Sequence, residues 1–146
     1  MRMRGRVVRG GALVALVAVL VGCIPLSPLH SATAYGMATG LKAQALTTMS
    51  KATNPFDEHA EEVAALVLEI DKAIEYARGR PRNEIAVLQW ELLMGPDAAL
   101  LGAFLNRWER EDTLGDAFVQ ESRAQVASAF DSIIRLESGL VRGSGS

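Results

Sequence analysis

The chain has 146 residues, 49% of them apolar and 5% aromatic, with 15 Lys+Arg against 17 Asp+Glu and a net charge of −2. This is enough chain for one domain with an apolar core, and charged residues, at 22%, are too few for a disordered polymer. One cysteine excludes an internal disulfide or a multi-cysteine zinc site, two histidines leave little from which to build a metal centre, and the slight acidity argues against a nucleic-acid footprint.

Arg2, Arg4, Arg6 and Arg9 precede an apolar run from Ala12 to Val21. A basic start followed by an apolar stretch of this length is the pattern of an export signal, and it falls short of the roughly 20 residues that a membrane-crossing helix needs. The run closes on Leu20-Val21-Gly22-Cys23. This resembles the lipobox of bacterial lipoproteins, in which aliphatic residues and then a small one stand directly before a cysteine. The resemblance implies that residues 1–22 are a signal peptide removed by the lipoprotein signal peptidase. It also implies that Cys23 is the lipidation site, diacylated on its sulfur and acylated again on the new amine. Two or three acyl chains hold a protein on a membrane where one does so only marginally. The implied location is the bacterial cell envelope, lipid-anchored and facing the periplasm. Ile24 stands where an aspartate accompanies inner-membrane retention in enteric lipoproteins, which favours the outer membrane over the inner.

Removing residues 1–22 takes away four arginines and no acid, so the charge falls from −2 to −6 over the remaining 124 residues. Such a body is repelled on average by anionic lipid and nucleic acid, and reaches the membrane through its acyl chains. Residues 23–32 read as the lipidated cysteine and a short extended tether with Pro25 and Pro28, in which His30 is solvated.

Over residues 33–140 the apolar period is helical, with no alternating strand pattern of useful length. The first segment, 33–52, places Ala34, Ala38, Leu41, Ala45, Met49 and Ala52 on one side, and Gly36 and Gly40 would admit a close backbone if they faced the core. The second, 55–78, opens on Asn54-Pro55 as cap and first helical residue, with Asp57 and Glu58 in the first turn, and ends at Arg78-Gly79. Phe56, Val63, Ile70 and Ala77 recur every seven residues along it, with Ala60, Leu66, Val67, Ala73 and Ile74 between them. Asn83 is the expected cap of a third helix, 84–94, whose core residues read as Ile85, Leu88, Leu92 and Leu93. Gly95-Pro96-Asp97 stops it and starts a fourth, 96–111, through Leu101, Phe104, Leu105 and Trp108. Thr113 with Asp116 resembles a capping box for a last helix, 114–140, carrying Val119, Val126, Phe130, Ile133, Leu136 and Leu140. Residues 141–146 read as a flexible tail.

Short connections between these segments imply an all-α fold, a small antiparallel bundle of four to five helices framed by the two long ones, with the short pair as a helical hairpin.

Candidate sites are few. Asp57-Glu58-His59-Ala60-Glu61-Glu62 invites a metal reading, but a di-iron bundle needs Glu-x-x-His from two helices and none is present, so these acids read as a solvated first turn. Arg78, Arg80 and Arg82 form the densest positive patch, suited to bidentate contact with a phosphate, a lipid A head group or a partner's carboxylate. Trp90 and Trp108, each flanked by charge, are candidate interface or pocket aromatics, with burial in the core as the commoner fate of such residues. Tyr35 and Tyr76 read as boundary residues. Ser122 and Ser128 find no His-Asp arrangement, no phosphate-cradling loop follows a strand, and neither a cofactor nor an enzymatic role is implied. The favoured expectation is a lipid-anchored, non-catalytic interaction or adaptor subunit for an envelope protein, which requires an exposed apolar or aromatic patch. The alternative is a bundle that encloses a small amphiphile or lipid, which requires a continuous apolar cavity. Replacing Cys23 with Ala is expected to release the protein from the membrane fraction of cells; integral membrane association that survives the substitution would contradict the lipobox.

Overall fold

The computed structural model describes residues 30–95 and 100–139. The expected signal peptide, Cys23, most of the tether, Pro96-Asp97, Leu140 and the tail lie outside them. The described elements are α1 (Ala32–Met49), a 3-10 turn (Phe56–Glu58), α2 (Ala60–Arg78), α3 (Glu84–Met94), α4 (Leu101–Glu111) and α5 (Asp116–Glu137), with no strand among the described residues. The fold is the expected all-α bundle.

α1 begins because the Ser31 hydroxyl accepts the amide proton of Ala34 at 3.2 Å, satisfying one of the helix's orphan donors. α1 therefore begins at Ala32, the last of the residues that read as a tether in the sequence. His30, expected to be solvated, is exposed, and it also donates from Nδ1 to the Glu137 carbonyl at 2.9 Å. α1 buries Ala34, Ala38, Leu41, Ala45, Thr48 and Met49, a face of mostly small side chains that brings its neighbours close. Gly36 and Gly40 lie on the opposite side, where an added Cβ would meet nothing within 4 Å, so they admit no close backbone.

α1 packs on α2 and α5, and α3 packs on α2 and α5. The order around the bundle is therefore α1, α2, α3, α5, in which each helix runs antiparallel to its two neighbours and α1 stands diagonal to α3. α3, 11 residues against 19 in α2, rises only about 16 Å to the other's 28 Å. α4 takes the chain on from there to the 3-10 turn. Its Gly102 sits so close to the end of α3 that a Cβ would come within 2.9 Å of the Met94 carbonyl oxygen.

The two long helices bury the seven-residue repeats, Val63, Ile70 and Ala77 on α2 and Val119, Val126 and Ile133 on α5, around Leu66 and Phe130. Their starts differ from expectation. Pro55 and Phe56–Glu58 make the 3-10 turn and α2 starts only at Ala60; the Asn54 carbonyl instead accepts from Trp108 Nε1 at 3.0 Å. Thr113 makes no capping box, because Gly115 occupies the cap position of α5. The segment before it is used to close the far end, where Leu114 N donates to Ala52 O at 2.7 Å and Phe56 N donates to Asp112 O at 2.9 Å. Asp112 adopts φ 64°, which turns its carboxylate so that Oδ1 also accepts from Phe56 N at 3.1 Å.

The glycines separate by environment. Gly102→Ala is expected to destabilise the fold by about 1–3 kcal/mol through backbone collision. Gly36→Ala is expected to stabilise it by up to about 1 kcal/mol through helix propensity. Urea midpoints of the two variants, moving in opposite directions from the parent, check both.

Candidate interaction surface

At one end of the bundle the α2–α3 loop meets the start of α1 and the end of α5. Ser31 Oγ and the Tyr76 hydroxyl are 3.2 Å apart, joining the α1 cap to the last turns of α2. Of the three arginines expected to form one anion site, each has a different role. Arg78 Nη1 donates to Glu75 at 2.6 Å and Nη2 to Glu91 on α3 at 3.2 Å, so its charge is already answered. The Glu75 hydrogen bond, then that of Glu91, holds its pKa above the ordinary value. Arg80 turns inward and forms an ion pair with Glu137, whose side chain is 1% exposed. Arg82, at φ 58°, is exposed and has no partner among the described residues.

A carboxylate in the last turn of a helix opposes the helix dipole, and a buried one is tolerated only when paired. Glu137 meets both conditions through Arg80, which arrives from 57 residues earlier. Asn83 is bound into the same junction. Expected as a side-chain cap, it makes no capping bond, and its Nδ2 donates instead to the Ala77 carbonyl at 3.0 Å, inside the end of α2. Its Oδ1, like Glu137 Oε1, is buried without a hydrogen-bond partner among the described residues.

α3 departs most from expectation. Ala86, Trp90 and Leu93 face the core, and Ile85, Leu88 and Leu92, expected there, are 49%, 57% and 58% exposed. The indole of Trp90 decides this: it packs edge-on against Phe130 with ring centroids 5.8 Å apart, and Ala86 lets the helix approach closely enough for it to do so. The three large aliphatics then share the outer face at i, i+3 and i+7, a stripe with no cover among the described residues. Beside it, Ala77, Val87 and Leu88 form the apolar wall of an open groove of about 340 Å³ that Arg78, Arg80 and Glu84 close on the polar side.

The tryptophans are not surface aromatics. Trp90 is 2% exposed and Trp108 fully buried, the latter between Phe56 at 5.4 Å and His59 at 5.6 Å. The acidic segment is also structural in part. Glu62 accepts from Lys51 at 2.6 Å and Thr48 at 2.8 Å, and these bonds, Lys51 first, lower its pKa. Among the described residues no three His, Cys, Asp or Glu side chains are grouped to hold a metal ion. Tyr35 and Tyr76 do sit at the boundary, 41% and 39% exposed.

Sequence reasoning missed the outer stripe of α3 and the burial of Asn83 and Glu137. The available signal for the first was a helix apolar on every side, which a half-exposed position cannot hide. Comparison of the chain with protein-family models, curated proteins and solved structures finds no match.

The Arg80–Glu137 pair makes a testable junction. Arg80→Met alone is expected to cost about 3–5 kcal/mol, because it strands a buried carboxylate, and adding Glu137→Leu should recover most of that loss. Urea unfolding of both single variants and the double variant checks this; additive losses would mean the pair is not coupled.

Proposed function

We propose that this is a lipid-anchored envelope protein, facing the periplasm from the outer membrane, whose helical body is a non-catalytic interaction subunit. The anchor rests on the Leu20-Val21-Gly22-Cys23 box. The interaction role rests on one observation, the stripe of Ile85, Leu88 and Leu92 on the outer face of α3. Each of these side chains would be worth roughly 1.5–3 kcal/mol if fully buried by a partner, and their spacing suits an elongated apolar groove or a facing helix. The helix behind them is fixed by Trp90, so the stripe is presented on a rigid element and little ordering is required on binding.

The amphiphile-binding alternative is favoured by a different feature, the groove beside Leu88, with apolar residues on one wall and arginines on the other. Between α1, α2 and α3, by contrast, the cleft beside Trp90 and Glu137 leaves no room for a water molecule. Any amphiphile would then lie on the surface groove.

A photo-reactive amino acid placed at Leu88 or Leu92 in intact cells tests the reading. The expected result is one recurrent protein adduct from both positions, and none from Leu68, which is 55% exposed but isolated on the outer side of α2. Adducts of lipid or small molecule alone would move the assignment to the amphiphile reading, and equal, scattered adducts from all three positions would remove the stripe from consideration.

A further inference from the structure

We infer that the α2–α3 end of the bundle is a docking surface for the anionic headgroups of the membrane that carries the protein, so that the bundle stands upright on it. The inference rests on the proposed lipid anchor and adds what the folded body does once anchored.

Cys23 precedes His30 by seven residues, a reach of about 25 Å when fully extended. The chain enters the fold at Ser31, hydrogen-bonded to Tyr76 beside the α2–α3 loop, so this end is the one held near the bilayer. The opposite end is separated from this one by the length of α2, about 28 Å.

The side chains at the near end suit an interface. Tyr35 and Tyr76 are both partly exposed, and tyrosine places an apolar ring and a polar hydroxyl at the depth of lipid headgroups. Arg82 is held outward at φ 58° by the turn that buries Asn83.

Charge is divided along the same axis. The near end carries Arg78, Arg80, Arg82 and Arg135 against Glu75, Glu84, Glu91 and Glu137, a balanced set in which Arg78 and Arg80 are already paired and Arg82 has no partner among the described residues. The far end collects Asp57, Glu58, Glu61 and Glu62 with Glu109, Glu111, Asp112 and Asp116, against Lys51, Arg107 and Arg110. An acidic body is repelled by anionic lipid as a whole, but a body polarised in this way is turned by the surface field until the acids point away. The headgroup phosphate is the group that Arg82 meets, as a charge-assisted hydrogen bond.

The test uses the full-length protein purified from membranes with its anchor, carrying a spin label at Pro81→Cys or at Thr113→Cys on the far end. It is reconstituted in vesicles of phosphatidylglycerol and phosphatidylethanolamine, or of phosphatidylcholine alone. Relaxation by oxygen, which concentrates in lipid, is compared with relaxation by an aqueous nickel complex. Expected is a lipid-proximal label at 81 in the anionic vesicles only, a label at 113 that stays aqueous in both, and about a five-fold or greater fall in the docked population with Arg82→Glu. A label at 81 that is aqueous on anionic vesicles overturns docking, as does one that Arg82→Glu leaves unchanged or a label at 113 that is equally lipid-proximal. Flotation with the vesicles reads the anchor separately. Protein that floats with an aqueous label at 81 overturns the docking alone, whereas protein that fails to float overturns the anchor and the docking with it.

Discussion

The Arg80–Glu137 contact is the constraint on which the rest of the near end depends. Three pieces of chain distant in sequence converge there: the start of α1, the α2–α3 loop and the last turn of α5. Apolar packing holds the middle of the bundle, where Leu66, Ile70, Phe130 and Ile133 interlock. It cannot specify how the loop lies across the end, because burial is non-directional. A buried carboxylate can, since it is tolerated only with a guanidinium placed directly against it. With Arg80 drawn inward, Asn83 reaches the Ala77 carbonyl and α3 leaves the loop at one fixed rotation. That rotation puts Trp90 inside and Leu88 outside.

The far end is closed by different means. There backbone groups pair directly, Leu114 with Ala52 and Phe56 with Asp112, and Trp108 ties Asn54 to the core. These bonds explain why the stretch between Met49 and Ala60 is a compact turn and not the beginning of a helix: its polar groups are committed to the α4–α5 connection. An Asn-Pro pair suits a helix start only when nothing else claims the asparagine's carbonyl.

The sequence was most informative where one side of a helix is apolar and the other is not. The repeats at Val63, Ile70 and Ala77 and at Val119, Val126 and Ile133 define the buried faces of α2 and α5 correctly, because their outer faces carry acids, lysines and arginines. In α3 two apolar faces compete. Ile85, Leu88 and Leu92 have helical spacing just as Ala86, Trp90 and Leu93 do, and hydrophobicity favours the aliphatic set. Packing reverses the choice, since one indole edge-on to Phe130 fills more of the core than leucine, and alanine permits the approach. The three arginines read as a unit from their spacing, yet they divide into a surface pair, a buried pair and an exposed charge. That division depends on Glu91 and Glu137, 13 and 57 residues away from the arginines they meet, and no local pattern reports it.

The diagonal relation of α1 and α3 has a mechanical consequence. No extended contact joins these two helices, whose side chains share only the narrow cleft lined by Ala34, Met37 and Trp90, so a pull between the first residue of α1 and the outer face of α3 is carried mainly by α2 and α5. Both lie lengthwise along their neighbours, so the strain is spread over many side chains and not concentrated on the last few. A tug from one side is therefore shared by two seams in parallel, and opening either would leave the other still fastened.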